Sequence, residues 1–452
     1  MTEGPGDRYP KLAENGSYYG RILDLALPLI VANLVQQLYS MTDVFVMGRF
    51  QGSISLAAVG ASIQLSFLLV FVFLGFSVGA SIVAAQSFGA KNTEKLQLCV
   101  HTTIVISLGA GLFLTFAGVA SATFLLRMVN VPEEVLPQAS SYLKIHFLSM
   151  IPFMLFVMGS ALLRGVGDTK TIMRALIASL IVKVCLVFSL AAFFGGGVKA
   201  AASATIFAQA AAAFVVIRKL LTTDGPHRLS LRSIAFHKPT FSAIIGIGLP
   251  AGLQSLVQYL ANLYLQSQVF IFGPDVMAAM VTYFRLEGIL YMPIEGFALA
   301  AATLSGQNLG AKRYDRIRGL MVRVSILSVC VTVVLSILML YFRLEILSLF
   351  NPKNLAARQA GELFFLYIIP FYFLYAINQN FGGVIRGTGE ATVPMVIILF
   401  CTCLARVVWI SIVHDNLVLL CLTYPISWVL TITAFSIYYR CGSWLTRHER
   451  AA

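Results

Sequence analysis

Apolar residues in this chain come in long continuous runs, with no period-two alternation. Twelve runs approach or exceed the roughly 20 residues a helix needs to cross a bilayer: 22–48, 57–86, 97–121, 137–163, 172–195, 198–218, 240–272, 277–307, 319–342, 359–384, 391–413 and 417–439. Breakers and charges stand between them, as in Gly89-Ala90-Lys91, Asn351-Pro352-Lys353 and His414-Asp415-Asn416. A membrane β-barrel would need strands of alternating polarity, and the stretch from Leu68 to Phe76 alternates with nothing. The pattern predicts an all-α membrane protein with twelve transmembrane helices.

Composition agrees. Of 452 residues, 58% are hydrophobic and 11% charged, with a mean hydropathy of +0.85, too little charge to coat a soluble fold. The net charge of +13 therefore reads as topology, and no nucleic-acid partner is expected. Lys and Arg gather in the N-terminal stretch, the even-numbered loops and the C-terminal tail, which hold 22 of the 32, against six in the odd-numbered loops. Both termini are thus expected on the cytoplasmic side of the membrane. The polar, Gly- and Pro-bearing first twenty residues read as a cytosolic leader without a signal peptide. Seven cysteines lie in or beside apolar runs without a CxxC, so neither a disulfide framework nor a zinc site is expected, and no cofactor.

The chain repeats itself. Ala26-Leu27-Pro28 returns as Gly248-Leu249-Pro250, Gln86-Ser87-Phe88-Gly89-Ala90-Lys91 as Gln307-Asn308-Leu309-Gly310-Ala311-Lys312, and Arg164-Gly165-Val166-Gly167-Asp168 as Arg386-Gly387-Thr388-Gly389-Glu390. The offsets are 222, 221 and 222 residues. Six spans fit one offset, an even number, so both copies insert with the same orientation and form two pseudo-symmetric six-helix lobes. The division expected is a leader over 1–21, an N-lobe over 22–220, a linker over 221–239, a C-lobe over 240–440 and a tail over 441–452. Gly89, Gly310, Lys91, Lys312, Arg164 and Arg386 read first as helix-ending and capping residues. Pro28 and Pro250 fall inside the first and seventh spans, where a bend can form.

Ionisable groups inside spans are costly and mark candidate functional positions. Asn33, Gln36, Ser40 and Asp43 share one stripe of the first helix, and Asp43 is the candidate coupling acid. On the eighth span Tyr283, Glu287, Tyr291 and Glu295 recur every four residues, which puts the two carboxylates about 12 Å apart along the axis. They could act as successive proton or cation stations, or as ion-pair partners of Arg285 or Arg406. Lys183 and Arg406 stand 223 residues apart in near-equivalent places. Lys183 is expected to face Asp43, and Arg406 to face Glu287 or Glu295. Gln254, Gln258, Asn262 and Gln266 form a polar seam on the seventh span, which with Asn378, Gln379 and Asn380 could line a wet, permissive cavity.

The runs from Asp43 to Ser62 (DVFVMGRFQGSISLAAVGAS), SFGAK, Leu162 to Thr171 (LLRGVGDTKT), Leu304 to Arg316 (LSGQNLGAKRYDR), VIRGTGEATVP and Tyr424 to Leu430 (YPISWVL) together resemble the multidrug and toxic compound extrusion (MATE) family, of the MOP-type fold, and its bacterial branch most. The likeness covers roughly residues 20 to 440. It implies export of drugs and organic cations driven by inward proton or sodium flow, with Asp43 matching the first-helix acid implicated in coupling. Two departures stand out. Where related members show Asn and then Asp on the fifth helix, this chain has Lys183 and Val187, which disfavours sodium there and favours a proton. Gln258 stands where some members place a seventh-helix acid, which leaves Glu287 or Glu295 to couple the second lobe.

The function expected is a secondary antiporter, a monomer in the lipid bilayer, exporting amphipathic or cationic small molecules by alternating access. The absence of GxxxxGK[ST] fits transport not driven by the chain's own ATP hydrolysis. A lipid-linked-oligosaccharide flippase is the alternative, which Lys183 and Arg406 would suit. An intramembrane hydrolase is the third: Gly75-Phe76-Ser77-Val78-Gly79 matches GxSxG, yet it sits inside an apolar span and reads as close helix packing, so no enzyme is expected.

Overall fold

A computed structural model describes residues 18–50, 52–193, 197–350, 354–413, 415–442 and 444. Most of the leader and of the tail lies outside them. Helices account for nearly all of these residues, and no strand occurs among them. The first half contains α1 (Tyr18–Phe50), α2 (Gly52–Gly89), α3 (Thr93–Met128), α4 (Leu136–Leu148), α5 (Met150–Val166), α6 (Thr169–Phe193) and α7 (Val198–Thr222). The second contains α8 (Lys238–Phe270), α9 (Pro274–Gly310), α10 (Tyr314–Tyr341), α11 (Arg343–Phe350), α12 (Leu355–Tyr367), α13 (Tyr372–Gly387), α14 (Thr392–Ile397), α15 (Ala405–Val413), α16 (Leu417–Cys421) and α17 (Thr423–Cys441). Eleven stretches are long and apolar enough to cross a membrane, and α4 with α5, bent by 48°, completes twelve.

The breaks have local causes. Pro152, third residue of α5, has no N–H to offer the carbonyl of Leu148, and the chain turns there. The same tripeptide, Ile369-Pro370-Phe371, forms a 3-10 turn between α12 and α13. Helices α2 and α9 end at Gly89 and Gly310, but the left-handed residues that turn the chain out are Lys91 and Lys312, at φ 54° and 56°. Gly167 and Gly389 take φ 92° and 94°, a conformation that side chains resist. Between α14 and α15, Ile398–Leu404 winds as a π-helix.

The residues gather into two compact units. Leu27–Gly252 form one; among the described residues, those from Leu253 onward, together with Tyr18–Ala26, form the other. The divisions fall inside α1 and α8, within two residues of Pro28 and Pro250. For α8 the reason is a glycine seam in the first unit. A Cβ on Gly75 would lie 2.3 Å from the Gly248 carbonyl oxygen, and one on Gly79 would lie 2.1 Å from that of Ile244. Only bare backbone fits at this crossing, so the opening turns of α8 pack against α2. In the second unit Tyr18 lies under Arg323, 4.1 Å from guanidinium carbon to ring centroid.

Each unit has its own core. Val46, Leu114, Tyr142, Phe147 and Met154 pack together in the first, and Tyr283, Leu290, Phe364, Tyr372 and Trp428 in the second.

Candidate functional site

In the first unit α1, α4, α6 and α7 bring together the groups of a buried ion pair. Lys183 is fully buried and Asp43 is 5% exposed. The ammonium nitrogen lies 2.8 Å from Asp43 Oδ1 and 2.9 Å from Oδ2. It also donates to Thr205 Oγ1 and sits 4.9 Å from the centroid of the Tyr39 ring. Tyr142 donates its hydroxyl to Asp43 Oδ2 at 3.1 Å. A carboxylate taken out of water in this way is held by one cation and one hydroxyl, and the cation in turn by a hydroxyl and a ring face. The expected facing of Lys183 and Asp43 is therefore a direct contact. Tyr142 and Thr205 had no signal in the sequence beyond being polar groups in apolar runs.

The other members of the first stripe lie outside this pair. Ser40 is exposed and spends its hydroxyl on the Gln36 carbonyl, 3.1 Å away; Asn33 and Gln36 are half-buried. Ser77 of the GxSxG run donates to the Leu74 carbonyl at 2.7 Å, midway along α2, and has no nucleophile's geometry.

The second unit is wired differently. Tyr372 on α13 donates to Glu287 on α9, and the Tyr283 and Tyr372 hydroxyls lie 3.3 Å apart. About two turns along, Gln379 donates to Glu295 Oε1 at 2.5 Å and to the Tyr375 hydroxyl at 2.9 Å, while the Tyr291 and Tyr375 rings stack at 5.9 Å. The two carboxylates are thus each engaged from α13 by residues spaced three or four apart. Asn378 is buried and donates to the Trp428 carbonyl at 3.2 Å.

Arg406 departs from expectation. It makes no ion pair with Glu287 or Glu295; it donates to Asn262 Oδ1 at 2.8 Å and to Ser427 Oγ at 3.0 Å, with the Tyr424 ring 4.6 Å from its guanidinium carbon. Arg386, read as a helix cap, reaches sideways to Gln254 at 3.5 Å, as Arg164 reaches Ser81 at 3.2 Å. The seam residues Gln254 and Asn262 therefore serve as neutral acceptors for two arginines, while Gln258 is half-buried. Arg285 pairs with neither glutamate and lines an open cleft with Met277, Thr282 and Phe350. Among the described residues no group of three His, Cys, Asp or Glu side chains comes together as a metal site.

Known proteins resemble the chain over most of its length. The Probable multidrug resistance protein YoeA of Bacillus subtilis (strain 168) is 28% identical over 384 residues, 83% of this chain and 82% of the relative. The Probable multidrug resistance protein NorM of Thermotoga maritima is 25% identical over 383 residues, 83% and 81% of the two chains. The fold matches that of a solved multidrug resistance MATE family transporter of the MOP superfamily in its outward-facing conformation, with a TM-score of 0.90 at 21% identity over 97% of this chain and 99% of the other. The sequence model of the MatE family matches residues 28–189 and again 250–410, one match in each half of the repeat. This chain belongs to the MatE family and is a transporter, not an enzyme.

Proposed function

We propose that this transporter exports drugs and other amphipathic or cationic small molecules from the cytoplasm across a bacterial inner membrane, in exchange for inward-moving protons, with both termini cytoplasmic. The observation that carries the reading is the buried contact pair of Asp43 and Lys183. A proton delivered to Asp43 removes the negative charge and leaves the ammonium buried with only Thr205 and an aromatic face. Stranding one member of a buried pair costs about 3–5 kcal/mol. Turning a two-state equilibrium from 1:99 to 99:1 takes about 5.5 kcal/mol. One proton at this place can thus supply most of the bias that alternating access requires. A sodium ion would have to displace Lys183 or sit beside it, so the fixed ammonium favours the proton as coupling ion.

The second unit supports a subordinate role for Glu287 and Glu295. Both face hydroxyl and amide donors, and neither touches a cation, so their titration changes a field and breaks no ion pair. Tyr283, Tyr291 and Asn378 lie beside them and, with the half-buried Gln258, are the groups of the second unit that we assign to cargo; Asn33 and Gln36 are those of the first.

Everted membrane vesicles loaded with a fluorescent organic cation test the reading. Transport driven by a pH gradient, absent with a sodium gradient alone and lost in Asp43→Asn, is the expected result. Transport driven equally by sodium would overturn the proton assignment, and intact export in Asp43→Asn would overturn the role of the pair.

A further inference from the structure

The segment between α7 and α8 is folded against the first unit and leaves a group of large apolar side chains uncovered. Leu229 is buried, and its N–H donates to the Leu220 carbonyl at 2.8 Å. Ser230 N–H donates to His101 Nε2 at 3.2 Å, and His237 N–H donates to Thr102 Oγ1 at 3.3 Å. The chain is therefore pinned at three points to α7 and α3. Between the pins it turns a short 3-10 helix, Leu231–Ser233, and exposes Leu231 (65%), Ile234 (37%) and Phe236 (52%). Arg228, Arg232 and Lys238 stand exposed among them, with Asp224 as the acid of the segment.

The pins also fix the depth. Helix α3 has 36 residues, about 54 Å of helix at 1.5 Å per residue. A hydrocarbon layer of about 30 Å leaves roughly 12 Å of α3 beyond it at each end. His101 and Thr102 come eight and nine residues after Thr93, so they lie about 12–14 Å from that end. With α3 centred in the bilayer, the docked segment sits at the boundary between hydrocarbon and headgroups, where apolar side chains flanked by Arg and Lys partition into a leaflet of anionic lipid.

We propose that this segment is a lipid-binding surface: Leu231, Ile234 and Phe236 insert at the edge of the hydrocarbon, and Arg228, Arg232 and Lys238 hold anionic phospholipid headgroups. The apolar triad commits the site to lipid phosphate over free phosphate. Each basic group near an anionic surface shifts partitioning by about fivefold.

The test uses the full chain in vesicles of phosphatidylcholine with or without phosphatidylglycerol. A Phe236→Trp variant is read against the parent protein, which carries Trp409, Trp428 and Trp444. The added emission is expected to be quenched by a lipid bearing a nitroxide near its headgroup, more strongly when phosphatidylglycerol is present. Arg228→Gln/Arg232→Gln/Lys238→Gln in that background removes the phosphatidylglycerol increment, and inorganic phosphate in the buffer does not compete. Quenching by aqueous acrylamide with none by the labelled lipid would overturn the proposal, as would indifference to phosphatidylglycerol. Leu231→Trp serves as the second reporter should Phe236→Trp not fold.

Discussion

At the scale of single residues, the Asp43–Lys183 pair makes opposite forecasts for single and paired substitution. Asp43→Asn or Lys183→Met alone leaves the other partner stranded and is expected to cost about 3–5 kcal/mol, read by thermal unfolding in detergent. Asp43→Asn/Lys183→Met together should recover most of that loss while gradient-driven transport stays absent. Failure of the double substitution to recover stability would mean that the two side chains do not support each other. A second forecast concerns His227 in the docked segment, outside the membrane spans. Burial lowers its pKa, Asp168 opposes the effect and Lys219 adds to it. The docked state therefore binds fewer protons than the undocked one. Its stability is full above the ordinary imidazole value of about 6.5 and is lost as the pH falls below it. Hydrogen exchange at the Leu229 and Ser230 amides, corrected for intrinsic rates, should quicken on acidification, and His227→Gln should flatten the response. Charges buried in apolar runs were legible at this scale because their cost alone marks them. Tyr142, Thr205, Tyr372 and Tyr375 were not, since a tyrosine or threonine in a span is equally at home in packing, and only the fold shows what its hydroxyl meets.

At the scale of elements, the sequence marked every span, with ends within about seven residues of the helix ends, because continuous hydrophobicity is itself the physical requirement for crossing a bilayer. It did not show where a span would break, although the Ile-Pro-Phe tripeptide at both breaks was there to be found. The π-helical turn explains a register oddity. Gly167 and Gly389 are 222 apart, as are Thr205 and Ser427, yet Lys183 and Arg406 are 223 apart. The extra residue is taken up within Ile398–Leu404, which keeps Arg406 on Ser427 as Lys183 is kept on Thr205. Deleting exposed Phe400 should convert that turn to ordinary α-helix and leave expression and melting near those of the parent. Deleting exposed Ile181 from the regular helix α6 should rotate Lys183 by about 100° off Asp43 and abolish folding or transport. The glycine seam gives a similar contrast. Gly75→Ala forces a Cβ against the Gly248 backbone and should destabilise by about 1–3 kcal/mol or more. Gly246→Ala, with nothing within 4 Å of the new Cβ, should stabilise α8 by about 0.5–1 kcal/mol. Equal melting shifts for the two would refute the close crossing.

At the scale of the whole molecule, the repeat announced the architecture, since a fixed offset across motifs of different kinds has no cause other than a doubled unit. The distribution of Lys and Arg puts both termini in the cytoplasm under the proposed topology, so a fluorescent protein fused after Ala452, which matures only in the cytoplasm, should glow. The sequence could not show that the compact units divide inside α1 and α8, because that depends on which backbones approach most closely, and glycines advertise closeness without naming the neighbour. The same offset shows how unlike the two halves have become. The position in the second half that corresponds to Asp43 is Leu265, buried in its core. The acids of that half sit one helix later and answer to tyrosines. A doubled framework thus carries an undoubled control. Under the proton coupling proposed above, acid arriving at the first half severs a bond and is felt as an event, while acid arriving at the second only shifts a balance. The first half would then act as trigger and the second as trim.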